Sequence, residues 1–404
     1  MGHSTKRPMK ICVICHPTQG GSGILASELG MAMAKRGHEV HFLSHTKPFR
    51  LRTDIPNVKF HKVDISDYPL FQYPPYSIAL AGALVDLLSE MSFDIVHVHY
   101  AIPHAVSAFL AHRALLATSP PVLVTLHGTD VTVVGRQKSI TSIIGFVLQN
   151  CEGLSAVSES LKASSIEVFN LTRDVKVIPN FVDTARFKPE LRNASARRDI
   201  APNGEFLIGH MSNFREVKRI GDVVDIFRRV REVMPARLVL IGDGPGLPGA
   251  LLALNGLGLE QDVTALGSIQ NVEHTLAQLD AFLLPSQTES FGLAALEAMA
   301  CGVPCVVSDA GGLPEVVENG VQGYTVPVGD TEEMAAKVVG LLKDPALRAG
   351  MGAAARNRAA DCFALESIVD RYEAFYREVH GPLDPHQEDD TSSRGDDSAA
   401  VRTI

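Results

Sequence analysis

Two glutamates eight positions apart stand at the start of one apolar helical stretch. Glu289 and Glu297 lie within PSQTESFGLAALEAMACGVP, residues 285–304. A helix beginning at residues 290–293 would offer free backbone N–H groups, which suit a diphosphate. At a rise of about 1.5 Å per residue, the two carboxylates would bracket an extended ligand and accept hydrogen bonds from sugar hydroxyls. In the alternative interpretation, neither carboxylate binds a ligand: Glu289 is an acid favoured near the helix start by the helix dipole, and Glu297 is a surface residue.

A basic run follows the strand expected at residues 206–211. Arg215 and Lys218 would lie at its carboxyl end, where cations can neutralise the charge that develops on a leaving diphosphate. Arg219 is the alternative to Arg215 as the arginine that neutralises this charge. Without a ligand, the whole run would be solvated surface.

Further candidates follow strands of the first half. Gly20 and Gly21 precede Ser22 between a strand and a helix. Glycines let a phosphate approach the backbone, although many α/β proteins use such turns only for packing. His127 ends the strand expected at residues 122–126, so its ring should reach the same cleft, but a lone histidine there is more often structural.

These side chains need a scaffold that brings strand ends together. Short β-branched runs alternate with longer amphipathic ones, which is typical of βαβ units. We predict an α/β fold of two Rossmann-like, doubly wound parallel-sheet domains that face a shared cleft. The expected strands are residues 9–15, 39–43, 95–99, 122–126, 154–157 and 175–178, then 206–211, 237–241, 263–265, 281–284 and 304–307.

The strand rhythm pauses near residues 179–183, before a polar stretch. The sequence therefore divides into a tag-like segment (residues 1–8), an N-terminal domain (9–185) and a C-terminal domain (186–363). A helical segment (364–380) that can cap either domain and a tail (381–404) follow. The tail holds six acidic and two basic residues with little to bury, so we expect it to be disordered.

The composition bounds the function. With 46% hydrophobic and 21% charged residues, the body is globular. A net charge of −9 disfavours nucleic acid and anionic membranes as partners. No apolar run approaches the ~20 residues that span a bilayer, and the start does not resemble a signal peptide, so we expect a cytoplasmic setting. The cysteines are predicted to be buried core residues: Cys12, Cys15, Cys151, Cys301, Cys305 and Cys362.

The spacing of Glu289 and Glu297 resembles the E-x7-E signature of retaining GT-B glycosyltransferases of family 4. The likeness runs from the glycine loop to about residue 379 and includes TQGGSG (18–23), KPFRL (47–51), FQYPPY (71–76), HVHYAIPH (97–104), TLHGTD (125–130) and SNFREVKR (212–219). Within the family, these stretches resemble enzymes that open bacillithiol biosynthesis. The resemblance implies transfer of N-acetylglucosamine from UDP-GlcNAc to the hydroxyl of L-malate with retained anomeric configuration.

The resemblance also implies roles. His127 would orient the donor sugar without acting as general base, Glu289 would position sugar hydroxyls, and Lys218 and Arg215 would face the diphosphate. Here the chain departs from the wider family, whose arginine position is held by Asn213. Donor contacts would come from the C-terminal donor domain and the glycine loop: Gly20, Gly21, Ser290, Phe291, Gly292, Leu293 and Glu297.

A dianionic acceptor needs cations and hydroxyls on the N-terminal, acceptor-binding domain. The candidates are Ser22, Lys47, Arg50, Tyr100 and Thr125. Arg50 follows Pro48-Phe49, so the alternative is a loop residue that covers the core.

We predict no metal and no cofactor, because no two aspartates are separated by one residue as in a D-x-D site. The expected partners are the small molecules UDP-GlcNAc and L-malate, and a homo-oligomer is left open. Three alternatives remain: the same donor with another acceptor such as inositol phosphate, a sugar-nucleotide epimerase on this fold, or a cleft protein that binds an anion without chemistry.

Overall fold

The computed structural model describes residues 7–17, 21–65, 75–115, 119–133, 135 and 137–381. Gly20, most of the FQYPPY stretch and the predicted tail beyond Gly381 lie outside the described residues. Within them the chain forms two parallel sheets, with strand orders β3-β2-β1-β4-β5-β6-β7 and β10-β9-β8-β11-β12-β13.

The first sheet consists of β1 Lys10–Ile14, β2 Glu39–Ser44, β3 Val58–Lys62, β4 Ile95–His99, β5 Val122–Leu126, β6 Gly153–Ala156 and β7 Lys176–Val177. The second consists of β8 Phe206–Met211, β9 Ala236–Ile241, β10 Val263–Ala265, β11 Ala281–Leu284, β12 Cys305–Ser308 and β13 Gly323–Val326.

Each predicted strand is present, with ends that differ by at most one residue. Two strands were missed, β3 and β13, and both are edge strands. Strand β3 reads VKFHK and leaves part of its length in solvent, so its sequence lacks the apolar run of a central strand. Strand β13 has only four residues and begins with a glycine.

Helices cover the sheets. Those of the first half are α1 Gly21–Lys35, α2 Tyr76–Glu90, α3 Val106–Leu115, α4 Thr129–Thr132, α5 Lys138–Asn150, α6 Glu159–Phe169 and α7 Ala194–Ile200. Those of the second half are α8 Ile220–Val233, α9 Leu247–Gly256, α10 Val272–Leu276, α11 Leu293–Ala300, α12 Leu313–Val316, α13 Thr331–Lys343, α14 Pro345–Phe363 and α15 Leu365–His380.

The sheets are buried on both faces, because alternate residues of a strand enter different cores. In β1, Ile11 and Val13 join one core, whereas Cys12 and Ile14 join another. Such strands read as continuous apolar runs, which made them visible in the sequence. The cysteine prediction is wrong for Cys362, which is exposed on α14, while the other five are buried.

The chain passes between the domains twice. The predicted boundary after residue 185 falls between β7 and β8. The chain returns from the second domain to the first beside this boundary. There, Val182 N–H donates to the Phe363 carbonyl at 2.9 Å, and Leu365 N–H donates to the Val182 carbonyl at 3.0 Å. Helix α15 then packs on the first domain, with Ile368 in the same core as β1. The final helix, which the sequence left unassigned, therefore caps the first domain.

A buried hydrogen bond anchors that helix, and its loss should destabilise the protein. The Tyr376 hydroxyl lies 2.7 Å from His97 Nδ1, and both side chains are fully buried. Tyr376→Phe leaves the imidazole nitrogen without a partner, so we expect the free energy of unfolding to fall by about 1–3 kcal/mol. Urea denaturation followed by circular dichroism measures this. Tyr324→Phe, at a partly exposed site of the second domain, is the control, and an equal loss there would contradict the assignment.

Candidate active site

A cavity of about 380 Å³ lies between the two domains. In each sheet the strand order reverses between two central strands, β1 and β4 in the first and β8 and β11 in the second. Loops that leave such strands diverge and open a crevice at the carboxyl ends. The cavity is lined by His16, Gly21, Ser22, Leu25, Tyr100, His127, Thr129 and Asn180 of the first half and by Asn213, Arg215, Glu289, Ser290, Phe291, Gly292 and Leu293 of the second.

The start of α11 faces this cavity. The Leu296 N–H donates to the Gly292 carbonyl at 3.0 Å, so the N–H groups before residue 296 have no acceptor within the helix. Gly292 has φ 102°, a conformation that favours glycine, and a side chain there would collide with Leu313. The structure thus brings the predicted residues 290–293 together at a helix N-terminus that can receive an anion.

Glu289 and Lys218 meet at the edge of the cavity. Lys218 Nζ donates to Glu289 Oε2 at 2.5 Å, and both side chains are mostly buried. Arg215 lines the cavity, whereas Arg219 is not among the lining residues and pairs with Asp222 at 2.6 Å. Of the two competing arginines, the structure therefore places Arg215 at the site.

His127, which follows β5 in the first domain, is uncharged at neutral pH. Burial lowers the pKa of His127 to about 3, and the nearby His16 adds to the effect. Its Nε2 lies 3.0 Å from Nδ1 of His99, a ring whose pKa burial also lowers well below its usual value. His127 can therefore orient a ligand through hydrogen bonds but does not supply positive charge.

Tyr100 reaches the cavity from a strained backbone position. Its φ is 97°, which L-residues rarely adopt, and its N–H donates to the Thr125 carbonyl at 3.0 Å. The carboxylate of Asp130 joins this loop to the next, because it accepts from Ala101 N–H at 3.1 Å and from Gly128 N–H at 2.7 Å. Asp130 is fully buried and holds both loops, a role that the sequence analysis missed.

Three predicted acceptor contacts are not among the residues that line the cavity. Thr125 is fully buried, and its Oγ1 lies 2.8 Å from both His97 Nε2 and Ser155 Oγ. Lys47 donates to Thr53 Oγ1 at 3.2 Å. Arg50 Nη1 lies 2.5 Å from Oε1 of Glu28 in its own domain. Acceptor contact stays a prediction for these three, whereas Ser22 and Tyr100 do line the cavity.

Glu297 is buried and not a surface residue, so the alternative given for it is wrong. It does not line the cavity either, and burial raises its pKa to about 7. His16 and Asn213 line the cavity and were missed as ligand contacts, although each lies just beyond a central strand, where a search of strand ends would have found them. Asn180 has no such signal, because it lies on the crossing between domains.

The domains touch beside the cavity. Ser158 Oγ donates to the Ser290 carbonyl at 2.6 Å, and a side chain on Gly128 would overlap the Ser290 hydroxyl. The Glu315 carboxylate accepts from the N–H groups of Glu159 and Ser160, each at 2.9 Å, at the start of α6. A carboxylate at a helix N-terminus is favourable, so this contact helps hold the domains together.

Comparison with known proteins places the chain in a family. The family model described as glycosyltransferase family 4 matches residues 19–186, and the one described as glycosyl transferases group 1 matches residues 192–358. The chain is 42% identical over 372 residues to N-acetyl-alpha-D-glucosaminyl L-malate synthase of Bacillus anthracis, covering 92% of this chain and 97% of that protein. The chain belongs to glycosyltransferase family 4. It is also 26% identical to D-inositol 3-phosphate glycosyltransferase of Mycobacterium avium, with 89% of each chain covered.

Solved structures show the same architecture. This glycosyltransferase resembles sucrose-phosphate synthase of Thermosynechococcus elongatus with a TM-score of 0.77, at 22% identity and with 92% of this chain and 99% of that chain covered. It resembles Anabaena HepE in complex with UDP and glucose with a TM-score of 0.76, at 21% identity and with coverage of 91% and 98%. The predicted GT-B fold is confirmed.

In the part of the chain that the structure describes, no helix combines the length and apolarity needed to cross a membrane. Across the same residues, no group of three or more His, Cys, Asp or Glu side chains is arranged to hold a metal ion.

The low pKa of His127 gives a direct test of the site's electrostatics. Because burial disfavours the charged ring, we expect His127 to stay neutral from about pH 5 to 9, well above a pKa of about 3. Nitrogen-15 NMR of labelled histidines measures its protonation, and the resonance is assigned by its loss in His127→Asn. A midpoint near 6.5, the ordinary value, would show that burial does not control this ring.

Proposed function

We propose that this glycosyltransferase transfers N-acetylglucosamine from UDP-GlcNAc to the hydroxyl of L-malate with retention of anomeric configuration, the reaction that opens bacillithiol biosynthesis. The observation that carries the proposal is the 42% identity, over nearly the whole chain, to a protein named for the synthesis of N-acetyl-glucosaminyl malate. The cavity between the domains provides a site with a helix N-terminus and cations on one side and hydrogen-bonding groups on the other.

The donor diphosphate would lie at the start of α11. The free N–H groups there carry partial positive charge, and Lys218 and Arg215 supply full charges close by. Glu289 would accept from hydroxyls of the transferred sugar while its carboxylate pairs with Lys218. Donor contact by Glu297 stays a prediction, because this buried side chain is not among the residues that line the cavity.

The acceptor would lie against the first domain. Ser22 and Tyr100 offer hydroxyl groups, and burial raises the pKa of Tyr100, so its phenol keeps its proton. In the reaction, the bond between the sugar's anomeric carbon and the diphosphate oxygen breaks. The malate hydroxyl oxygen forms its bond on the same face, and its proton passes to the departing diphosphate oxygen. His127 would orient the sugar during this step.

Product analysis tests the proposal. The purified protein is incubated with UDP-GlcNAc and either L-malate or inositol phosphate, and products are identified by mass spectrometry. We expect N-acetylglucosaminyl malate with the α-anomeric proton signal in NMR. A product formed only with inositol phosphate would assign another acceptor, and an isomerised sugar nucleotide without transfer would indicate an epimerase. Stoichiometric binding without release of UDP would indicate a binding protein.

Removing the charge of Glu289 should impair transfer. Glu289→Gln keeps the shape of the side chain but weakens its hydrogen bonds to sugar hydroxyls and its ion pair with Lys218. Hydrogen bonds to charged groups contribute about 1.5–3 kcal/mol, so we expect kcat/KM for UDP-GlcNAc to fall about 10- to 100-fold. Release of UDP measures the rate. Glu318→Gln, at an exposed position of the same domain, should retain full activity, and an unchanged rate in Glu289→Gln would remove Glu289 from the site.

We also propose that turnover needs no metal, because Lys218, Arg215 and the start of α11 can balance the diphosphate charge. The initial rate should therefore be the same with and without excess EDTA. A rate that falls in EDTA and returns on addition of Mg²⁺ would contradict this proposal.

A further inference from the structure

A pair of histidine rings connects the cavity to the interior of the first domain. His127 lines the cavity, and its Nε2 lies 3.0 Å from Nδ1 of His99, the last residue of β4. His99 is buried and is not among the residues that line the cavity. Because Nε2 of His127 is turned towards His99, Nδ1 of His127 is the ring nitrogen left to face a ligand.

Only one proton can occupy the contact between the two rings. Burial lowers the pKa of both, so each is neutral at neutral pH, with one N–H and one acceptor nitrogen. In the first arrangement, Nδ1–H of His99 donates to Nε2 of His127, whose own proton is then on Nδ1. In the second, Nε2–H of His127 donates to Nδ1 of His99, whose own proton is then on Nε2. The first presents an N–H donor to the cavity, whereas the second presents a lone pair.

The surroundings of the other nitrogen of His99 distinguish the two arrangements. His99 Nε2 is buried and has no hydrogen-bond partner in the part of the chain that the structure describes. The neighbouring ring of His97 does not supply one, because both of its nitrogens are engaged. Its Nδ1 lies 2.7 Å from the Tyr376 hydroxyl, and its Nε2 lies 2.8 Å from Thr125 Oγ1. The second arrangement would therefore bury an N–H group without an acceptor.

A buried N–H without an acceptor is the less favourable of the two unpaired groups. Burial of a polar hydrogen without a partner costs free energy. Among backbone groups, buried donors without an acceptor are rarer than acceptors without a full set of donors, and the same desolvation acts on a ring N–H. The backbone of His99 is also held in place, because its carbonyl accepts from Nδ1 of His104 at 2.9 Å. These contacts favour the first arrangement.

We propose that His99 is a positioning residue for the donor sugar: its Nδ1–H donates to Nε2 of His127 and thereby fixes Nδ1–H of His127 as a donor that faces the cavity. This inference rests on the proposed function, in which His127 orients the transferred sugar. A sugar hydroxyl whose oxygen accepts from this N–H must direct its own proton to another group of the site. The tautomer of His127 thus sets the direction in which that hydroxyl donates.

Nitrogen-15 NMR reads this tautomer without substrate and without any change at His99. With labelled histidine near neutral pH, we expect Nδ1 of His127 to be protonated and its Nε2 to be bare. Two other histidines serve as internal references. His38 Nδ1 accepts from Met9 N–H at 3.0 Å and must be bare, whereas His210 Nδ1 lies 3.0 Å from the Leu283 carbonyl and must be protonated. A proton on Nε2 of His127, or equal occupancy of both nitrogens, would overturn the inference.

Two substitutions separate the hydrogen bond of His99 from the packing of its ring. His99→Phe keeps a planar ring without a donor, and we expect kcat/KM for UDP-GlcNAc to fall about three- to tenfold, as for the loss of one hydrogen bond. The signals of His127 should then show a mixture of tautomers. His99→Asn can place an amide N–H near the position of Nδ1, so it should recover part of the activity and the single tautomer.

A second buried histidine pair in the same domain provides the matched control. His41 Nδ1 lies 2.9 Å from His61 Nε2, the same two atom types at nearly the same separation, and neither residue is among those that line the cavity. His41→Phe should leave kcat/KM and the tautomer of His127 unchanged. Equal losses in His41→Phe and His99→Phe, or a loss in His99→Phe with an unchanged tautomer, would assign the effect to packing and contradict the proposal.

The two readouts also separate this inference from the proposed function. Failure of the unaltered protein to use UDP-GlcNAc would remove the proposed function and the donor role with it, while the tautomer measured without substrate would stand. Full activity with UDP-GlcNAc, together with a proton on Nε2 of His127, would leave the proposed function intact and overturn only the role of His99.

Discussion

The contact at Ser290 is the constraint on which the site depends. Each of the two sheets has a crevice at the carboxyl ends of its strands. A ligand can be bound from both sides only where the two crevices face each other. Ser158 donates to the carbonyl of Ser290, and Gly128 leaves room for its hydroxyl. A Cβ at position 128 would lie 2.7 Å from the Ser290 Cβ, so one of the two would have to shift. The glycine thus permits this close approach of the two domains.

Helix α11 connects this contact to the charges around it. Its start faces the cavity with free N–H groups, and its body carries the buried Glu297. Eight residues span about 12 Å, so one short rigid element fixes the separation between an anion site and a buried carboxylate. Glu289 contacts Lys218, whereas burial raises the pKa of Glu297 to about 7. The two glutamates are alike in sequence but differ in environment.

The sequence predicted the elements more fully than the partners. Central strands were found because burial on both faces requires continuous apolar runs, whereas the edge strands β3 and β13 do not meet that requirement. Strand-end reasoning placed His127 and Arg215 correctly at the cavity. It did not predict that the Thr125 hydroxyl is hydrogen-bonded to His97, or that the Arg50 guanidinium forms an ion pair with Glu28. Those pairings depend on how helices and loops far apart in the chain pack, which residue type and spacing do not encode.

The states of the ionisable groups at the cavity bear on the proposed route of the proton. Among the described residues that line it, His127 is a neutral ring engaged with His99, and Tyr100 keeps its proton because burial raises its pKa. Glu289 is paired with Lys218, so its carboxylate already accepts a hydrogen bond from an ammonium group. Burial also lowers the pKa of His16, the other histidine that lines the cavity. These states agree with the proposal that the departing diphosphate oxygen takes the acceptor's proton. Attack on the face from which the leaving group departs is one of two routes that retain the configuration, the other being a double displacement.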